Sequence, residues 1–303
     1  MLVTAIAAAC GARSSLLIDE FDDPSSGGGG TGPIADAGPD ADADTDAGKD
    51  AGIDADVVDC RDTGVTYIYL VADNRSLYSF NPEDRSLILR GTLNCPAGGA
   101  SPFSMGVDRQ GTAYVVYNNG QLFRASIFDA SCETTPFLSG QHGFTLFGMG
   151  FATDGAGPEE SLYVAEISFQ APSRGLATID TQTFELTPIG PFSQNPGNAI
   201  EMTGTGDGHL YGYFINSNGT GGHVVEIDKQ TATILSSVPL SAGASSGSLA
   251  FAFWGGDFYT FTSIGPNATR VTRYNPADGS TSDFAEIPAV IVGAGVSTCA
   301  PPR

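Results

Sequence analysis

Basic residues are scarce in this chain: 13 Lys and Arg stand against 34 Asp and Glu, a formal net charge of −21 over 303 residues. That sign repels a polyphosphate backbone, so nucleic acid is excluded as an expected partner. Long apolar runs are missing as well. Beyond residues 1–9 no uninterrupted stretch approaches bilayer-spanning length, which excludes an internal transmembrane helix. Histidine is limited to His142, His209 and His223, and no two of the five cysteines are close in sequence, so neither a zinc site nor any other metal is expected. No Walker loop, dinucleotide fingerprint, His-Glu-Xaa-Xaa-His helix or supported nucleophile elbow occurs, and no cofactor is expected. What is present is 40 Gly and 18 Pro with only 16% charged residues, a turn-rich mixture poor in the side chains that fill exposed helix faces. With 41% hydrophobic residues the chain can still bury a core, and the prior is all-β.

Three segments differ in physics. Residues 1–10 are an apolar stretch of small residues ending at Cys10. Ala7-Ala8-Ala9-Cys10 resembles the box that closes the signal of bacterial lipoproteins. That resemblance implies lipid attachment at Cys10, export to the bacterial cell envelope, and membrane contact through the N-terminal anchor alone. Gly11 after the cysteine, rather than Asp, resembles the outer-membrane pattern, facing either the periplasm or the cell surface. Residues 11–59 run from Gly/Ser into an Asp-Ala alternation through Asp40, Asp42, Asp44 and Asp46. So little apolar surface cannot offset the entropy of ordering, so this part is expected to be a disordered acidic tether. An EF-hand loop starting at Asp42 would need Gly where Ala47 stands and Glu where Ile53 stands, so calcium is not expected there.

Residues 60–303 carry a repeat. Tyr114, Tyr163, Tyr211 and Tyr259 follow at intervals of 49, 48 and 48, with Tyr67 or Tyr69 as a first copy. A second marker, an Asn or Asp ending an alternating run, appears as Asn81, Asp129, Asp180, Asp228 and Asn275. Each unit holds short alternating or apolar runs separated by Gly, Asn, Asp and Pro, the pattern of strands joined by tight turns. Four such runs per unit resemble a blade of a β-propeller, and residues 61–300 hold five units of 48. The expected fold is therefore all-β: a five-bladed β-propeller of four-stranded antiparallel blades, and a monomer. Blade one lacks an innermost strand, whereas Val290–Val296 is left over at the far end and is expected to close the ring.

With Cys10 assigned to lipid, four cysteines remain and three pairings are open. Cys60 just precedes blade one and Cys299 just follows the closing strand. We favour a bridge between them, and with it Cys95–Cys132, buried free thiols at these two being the alternative.

Chemistry is sparse. His209 and His223 read as hairpin surface residues. Glu201, on a predicted innermost strand, is the one carboxylate placed to face the channel, with Glu166 and Asp154 as distant partners, and a channel-centred glycan hydrolase is the alternative function. Asp108, Asp154, Asp207 and Asp257 recur at the same hairpin of successive blades and read as turn chemistry. The loops from each outer strand to the next inner strand carry Gln141, His142, Phe144, Gln194, Asn195, Asn198, Ser245 and Ser246. Amides beside an aromatic suit a glycan or protein ligand, and together with Glu201 they form the expected ligand face of a non-enzymatic binding or scaffold module. The Asn-Xaa-Ser/Thr sites at Asn74, Asn218 and Asn267 carry no meaning in a bacterial lipoprotein.

Overall fold

The computed structural model describes Cys60 and residues 64–303, apart from 156, 169–172, 195–198, 218, 242–246 and 267. The leader with Cys10, the acidic linker, and Asn195, Asn198, Ser245 and Ser246 lie outside the described residues.

Twenty strands follow in order. They are β1 (Ile68–Ala72), β2 (Ser76–Asn81) and β3 (Ser86–Thr92), then β4 (Pro102–Val107), β5 (Thr112–Tyr117), β6 (Leu122–Ser126) and β7 (Cys132–Thr134). Next come β8 (Phe147–Thr153), β9 (Glu160–Glu166), β10 (Leu176–Ile179), β11 (Leu186–Gly190), β12 (Ala199–Gly204), β13 (Leu210–Ile215), β14 (Gly222–Ile227) and β15 (Ile234–Leu240). The last are β16 (Leu249–Trp254), β17 (Asp257–Gly265), β18 (Ala268–Asn275), β19 (Ser280–Ile287) and β20 (Ile291–Val296). They form five antiparallel four-stranded sheets, ordered β20-β1-β2-β3, β4-β5-β6-β7, β8-β9-β10-β11, β12-β13-β14-β15 and β16-β17-β18-β19. The inner strands stand in a ring, each beside the next: β4, β8, β12, β16, β20 and back to β4. This is the five-bladed propeller. Second strands such as β5, Thr-Ala-Tyr-Val-Val-Tyr, are buried on both faces because each lies between two neighbouring blades. Outer strands alternate less and leave Ile88, Leu89 and Leu235 to solvent.

Strand register decides one reading of the repeat and corrects another. Tyr114, Tyr163, Tyr211 and Tyr259 pair across to Arg124, Thr178, Glu226 and Arg273. In blade one it is Tyr69, opposite Ser79, that takes this place, so Tyr69 and not Tyr67 is the first copy. The turn between third and outer strands begins at Asn81, Asp180, Asp228 and Asn275, whose side chains accept the N–H two residues on. In blade two Ser126 does this, its Oγ accepting from Phe128 N, and Asp129 instead accepts from Ser131 N. Asp84 and Asp278 do the same for Ser86 and Ser280, so Asp129 is a second turn acceptor and not the first. The true marker intervals are 45, 54, 48 and 47. The 54 against the tyrosine interval of 49 places five extra residues between Tyr163 and Asp180, in the β9–β10 connection. Each turn reaches the left-handed region at its fifth residue: Arg85, Ala130, Phe184, Ala232 and Gly279 have φ of 60°, 60°, 61°, 58° and 73°.

The core is five separate seams, one between each pair of blades, and each repeating tyrosine packs into the seam toward the following blade. Around the axis, space is set by glycine. A Cβ on Gly148 of β8 would fall on the Ile200 carbonyl oxygen of β12, and one on Gly204 would fall on that of Phe151. Five inner strands make a narrow ring, and only residues without side chains let their backbones approach so closely.

The last strand closes the ring. β20 pairs antiparallel with β1, Val296 opposite Ile68 and Gly295 opposite Tyr69, and so supplies blade one with its innermost strand. Cys60 and Cys299 form a disulfide with Cα atoms 5.1 Å apart, standing where the other blades have a covalent hairpin between first and second strands. Cys95 and Cys132 form the second disulfide, from the connection leaving blade one to outer strand β7, also with a Cα separation of 5.1 Å.

Candidate functional site

The ring has two mouths. At one, the connections from outer strands enter the inner strands; at the other lie the inner hairpins and the C-terminal tail. The first was expected to be the ligand face, and among its described residues Phe144 and Gln141 are held within the fold. Phe144 is 1% exposed and belongs to the seam between blades two and three. The Gln141 side chain clamps the edge of outer strand β11: its Nε2 donates to Phe184 O at 2.9 Å and its Oε1 accepts from Leu186 N at 3.0 Å. Both corrections have one cause, that the long connection from β7 to β8 folds inward to cover an otherwise open seam. His142 is exposed at φ 49° in a short 3-10 turn, and Gln194 is exposed in the β11–β12 connection.

Glu201 does reach the axis. Its carboxylate lies at the foot of a cavity of about 170 Å³ lined by the starts of the inner strands, including Phe103, Ile200, Leu249 and Val292. Ser104 Oγ on β4 donates to Glu201 Oε2 on β12 at 2.8 Å, linking two blades that are not neighbours in the ring. Burial pushes the Glu201 carboxyl well above the usual carboxylate range, opposed only by the Ser104 hydrogen bond. Burial thus favours its neutral form, and no charged group acts on it. Among the described residues no second carboxylate lines this cavity. Glu166 is held at its own loop, accepting from Arg174 N with Arg174 Nε 3.7 Å away, and Asp154 accepts from Ser161 Oγ and Tyr163 Oη at the far mouth.

The far mouth is closed by the chain's own tail. Thr298 sits between blades two and three. Its Oγ1 donates to Glu160 Oε2 at 2.6 Å and accepts from Arg109 Nε and Nη2 at 3.2 and 3.0 Å. Glu160 Oε1 accepts from Arg109 N at 2.7 Å. A Cβ on Gly206 of blade four would fall on Thr298 O, and Gly255 N of blade five donates to Pro301 O at 2.8 Å. Burial raises the Glu160 carboxyl to about 7, the Thr298 hydroxyl and Arg109 backbone opposing it and the neighbouring Asp108 adding to it. Burial likewise raises Asp108 to about 6, against the N–H groups of Thr112 and Gln110. Sequence reading missed this knot, since Glu160 and Thr298 belong to no motif and meet only when the ring closes.

Of the four repeated hairpin aspartates, Asp108 alone works by accepting backbone N–H groups, from Gln110 and Thr112 at 3.0 and 2.7 Å. Asp207 accepts from Thr205 Oγ1, and Asp257 accepts from Arg273 Nε at 2.7 Å and pairs with Arg273 Nη2 at 2.5 Å. The hairpins share a position but differ in length and neighbours, so the same residue finds different donors. His209 pairs with Glu226 at 2.8 Å and His223 with Ser237 at 3.1 Å, both on the surface as expected. Among the described residues no group of His, Cys, Asp and Glu is arranged to hold a metal ion, and no helix is long and apolar enough to cross a membrane.

No protein-family profile matches the chain, and no curated protein matches it. Solved structures do. The structure of the Dos1 propeller is 11% identical over 77% of this chain and 71% of that one, with a TM-score of 0.42. The Kuenenia stuttgartiensis hydrazine synthase is 14% identical over 79% and 69%, with a TM-score of 0.40. An exo-β-1,3-galactanase from Phanerochaete chrysosporium, solved with β-1,3-galactotriose, is 12% identical over 74% of this chain and 54% of its own, with a TM-score of 0.41. These likenesses are too distant to bear on function.

Proposed function

We propose that the chain is a non-enzymatic binding module, a propeller that presents a surface to a glycan or protein ligand and is held at a bacterial envelope by a lipid on Cys10. One observation carries the first half: among the described residues the axial carboxylate stands alone. Glycoside hydrolysis by the usual routes needs two carboxyl groups roughly 5–10 Å apart across the scissile bond. Glu201 instead has Ser104 as its partner and an apolar wall around it. The lipoprotein half rests on Ala7-Ala8-Ala9-Cys10 and the acidic stretch that follows.

The rival, an axial glycan hydrolase, draws on the raised Glu201 carboxyl, since burial favours the protonated form that a general acid needs. Incubating the full chain and Glu201→Gln with a panel of polysaccharides and measuring reducing ends separates the two. The binding reading expects no release from either protein; release by wild type that vanishes in Glu201→Gln would overturn it. For the anchor, labelled palmitate fed to an expressing bacterium is expected to enter wild type and not Cys10→Ser.

A further inference from the structure

The five repeating tyrosines occupy equivalent positions, and four of them are sealed: Tyr69, Tyr114, Tyr163 and Tyr259 are 2%, 5%, 6% and 3% exposed. Tyr211 is only partly buried. The seam it enters, between blades four and five, is also the thinnest. Among the described residues it holds seven buried apolar side chains, where the other four hold 13 to 16. The missing packing becomes a cleft of about 670 Å³ at the tail mouth, several times the axial cavity and within the range of small-ligand sites.

Its lining combines rings and hydrogen-bonding groups. Tyr211 of β13 stacks on Phe253 of β16 at 5.9 Å and 22°, and His209 extends the row at 5.9 Å and 20°. Phe258 supports Tyr211 edge-on at 4.9 Å. Asp207, Asp257, Arg273 and Asn275 supply carboxylate, guanidinium and amide along the same cleft. Asp257 fixes Arg273 through a hydrogen bond and an ion-pair contact, so the polar edge is held in place before any ligand arrives. Formal charge cancels along the lining, Asp207 and Asp257 against Arg273 and Arg303.

We propose that this cleft between blades four and five is the ligand site of the domain, and that it takes an uncharged saccharide. A sugar ring offers an apolar face of C–H groups to an aromatic and a rim of hydroxyls that both donate and accept. Rings beside fixed carboxylate, amide and guanidinium groups, with no net charge, match both requirements. An ionic ligand would meet a lining of balanced sign. The assignment rests on the binding-module reading above and names its site and ligand class.

Titration calorimetry of the full chain against a panel of neutral oligosaccharides built from glucose, galactose and N-acetylglucosamine tests it. At least one is expected to bind, with Phe253→Ala weakening it at least about tenfold, the loss expected when one aromatic anchor is truncated. Asp207→Asn keeps the shape of the site and is expected to weaken binding in the same direction; it is the deciding variant if Phe253→Ala lowers the melting temperature. Leu235→Ser, on the exposed face of outer strand β15, is expected to bind as wild type. Absence of binding to every member, or affinity unchanged in both cleft variants, overturns this assignment alone. Mass spectrometry of the recovered oligosaccharides keeps the two readings apart, since cleavage products overturn the non-enzymatic reading whether or not the cleft binds.

Discussion

Ser104 and Glu201 face one another across the propeller axis, hydroxyl to carboxyl at 2.8 Å, from blades separated by a third. The contact turns a position that looks catalytic in one dimension into a cross-tie in three. An amide is nearly isosteric with the carboxyl and still offers Ser104 an oxygen acceptor, so Glu201→Gln is expected to change stability by less than about 1 kcal/mol. Glu201→Ala leaves the buried Ser104 hydroxyl without its acceptor and is expected to cost about 2–4 kcal/mol, read from urea denaturation.

The tail knot makes stability fall as pH rises. Glu160 and Asp108 have folded pKa values of about 7 and about 6, above their ordinary 4.5 and 3.8. Between those limits the folded state binds more protons than the unfolded state, so their contribution is complete at low pH and is lost toward neutrality. For Glu160 the change between pH 4.5 and 7 is about 3 kcal/mol. In the opposite sense, turn aspartates Asp84, Asp129, Asp180, Asp228 and Asp278 are held low by hydrogen bonds from nearby residues, and what they add is lost only as pH drops below their ordinary 3.8. Melting temperature is thus expected to peak near pH 4–5 and to decline toward pH 8, with a shallower decline in Glu160→Gln. A wild-type melting temperature that climbs from pH 5 to 8 would count against the knot.

The two disulfides are expected to differ in weight. Cys60–Cys299 closes a separation of 239 residues and Cys95–Cys132 one of 37. In the chain-entropy picture these contribute about 5 and about 4 kcal/mol. Replacing both members of each pair by Ser, and measuring urea midpoints at pH 7, should lower the first variant further than the second. Equal midpoints would mean that the seam is held by β20 pairing with little help from the bridge.

Glycine on the inner strands is expected to tolerate nothing larger. Gly148→Ala places a methyl group on a neighbouring backbone carbonyl, which side-chain rotation cannot relieve. A loss of about 3 kcal/mol or more is expected, whereas Gly98→Ala, a surface turn with open space around it but φ of 62°, should cost about 1 kcal/mol. Thermal melts of the two variants check the order.

Most of the architecture was legible because a propeller writes its period into the chain. Tyr114, Tyr163, Tyr211 and Tyr259 mark equivalent strands, and a spare strand at Val290–Val296 matched a missing one before Tyr69. The disulfides followed from where the cysteines sit relative to those ends. Blade two blurred the second marker, since Ser126 and Asp129 cap the same turn by the same Asx-like geometry and only strand register tells them apart. Gln141 and Phe144 escaped the reading for a different reason. Polar sequence in a connection says that it meets water somewhere, and it cannot say that Gln141 is bonded to the β11 edge or that Phe144 fills a seam. The cleft between blades four and five left one faint sign, the three aromatics in Phe251-Ala252-Phe253-Trp254, but its partners Asp207 and Arg273 lie far off in sequence and meet only in the ring.

The ring is shut by its own last strand, and hydrogen exchange at β1 tests that closure most directly. With β20 on one side and β2 on the other, every amide from Tyr69 to Val71 is expected to exchange as slowly as its counterparts in β5, which is also paired on both sides. If alternate β1 amides exchanged as fast as those on the open edge of β3, β20 would not be seated there and the closed five-bladed ring would be contradicted.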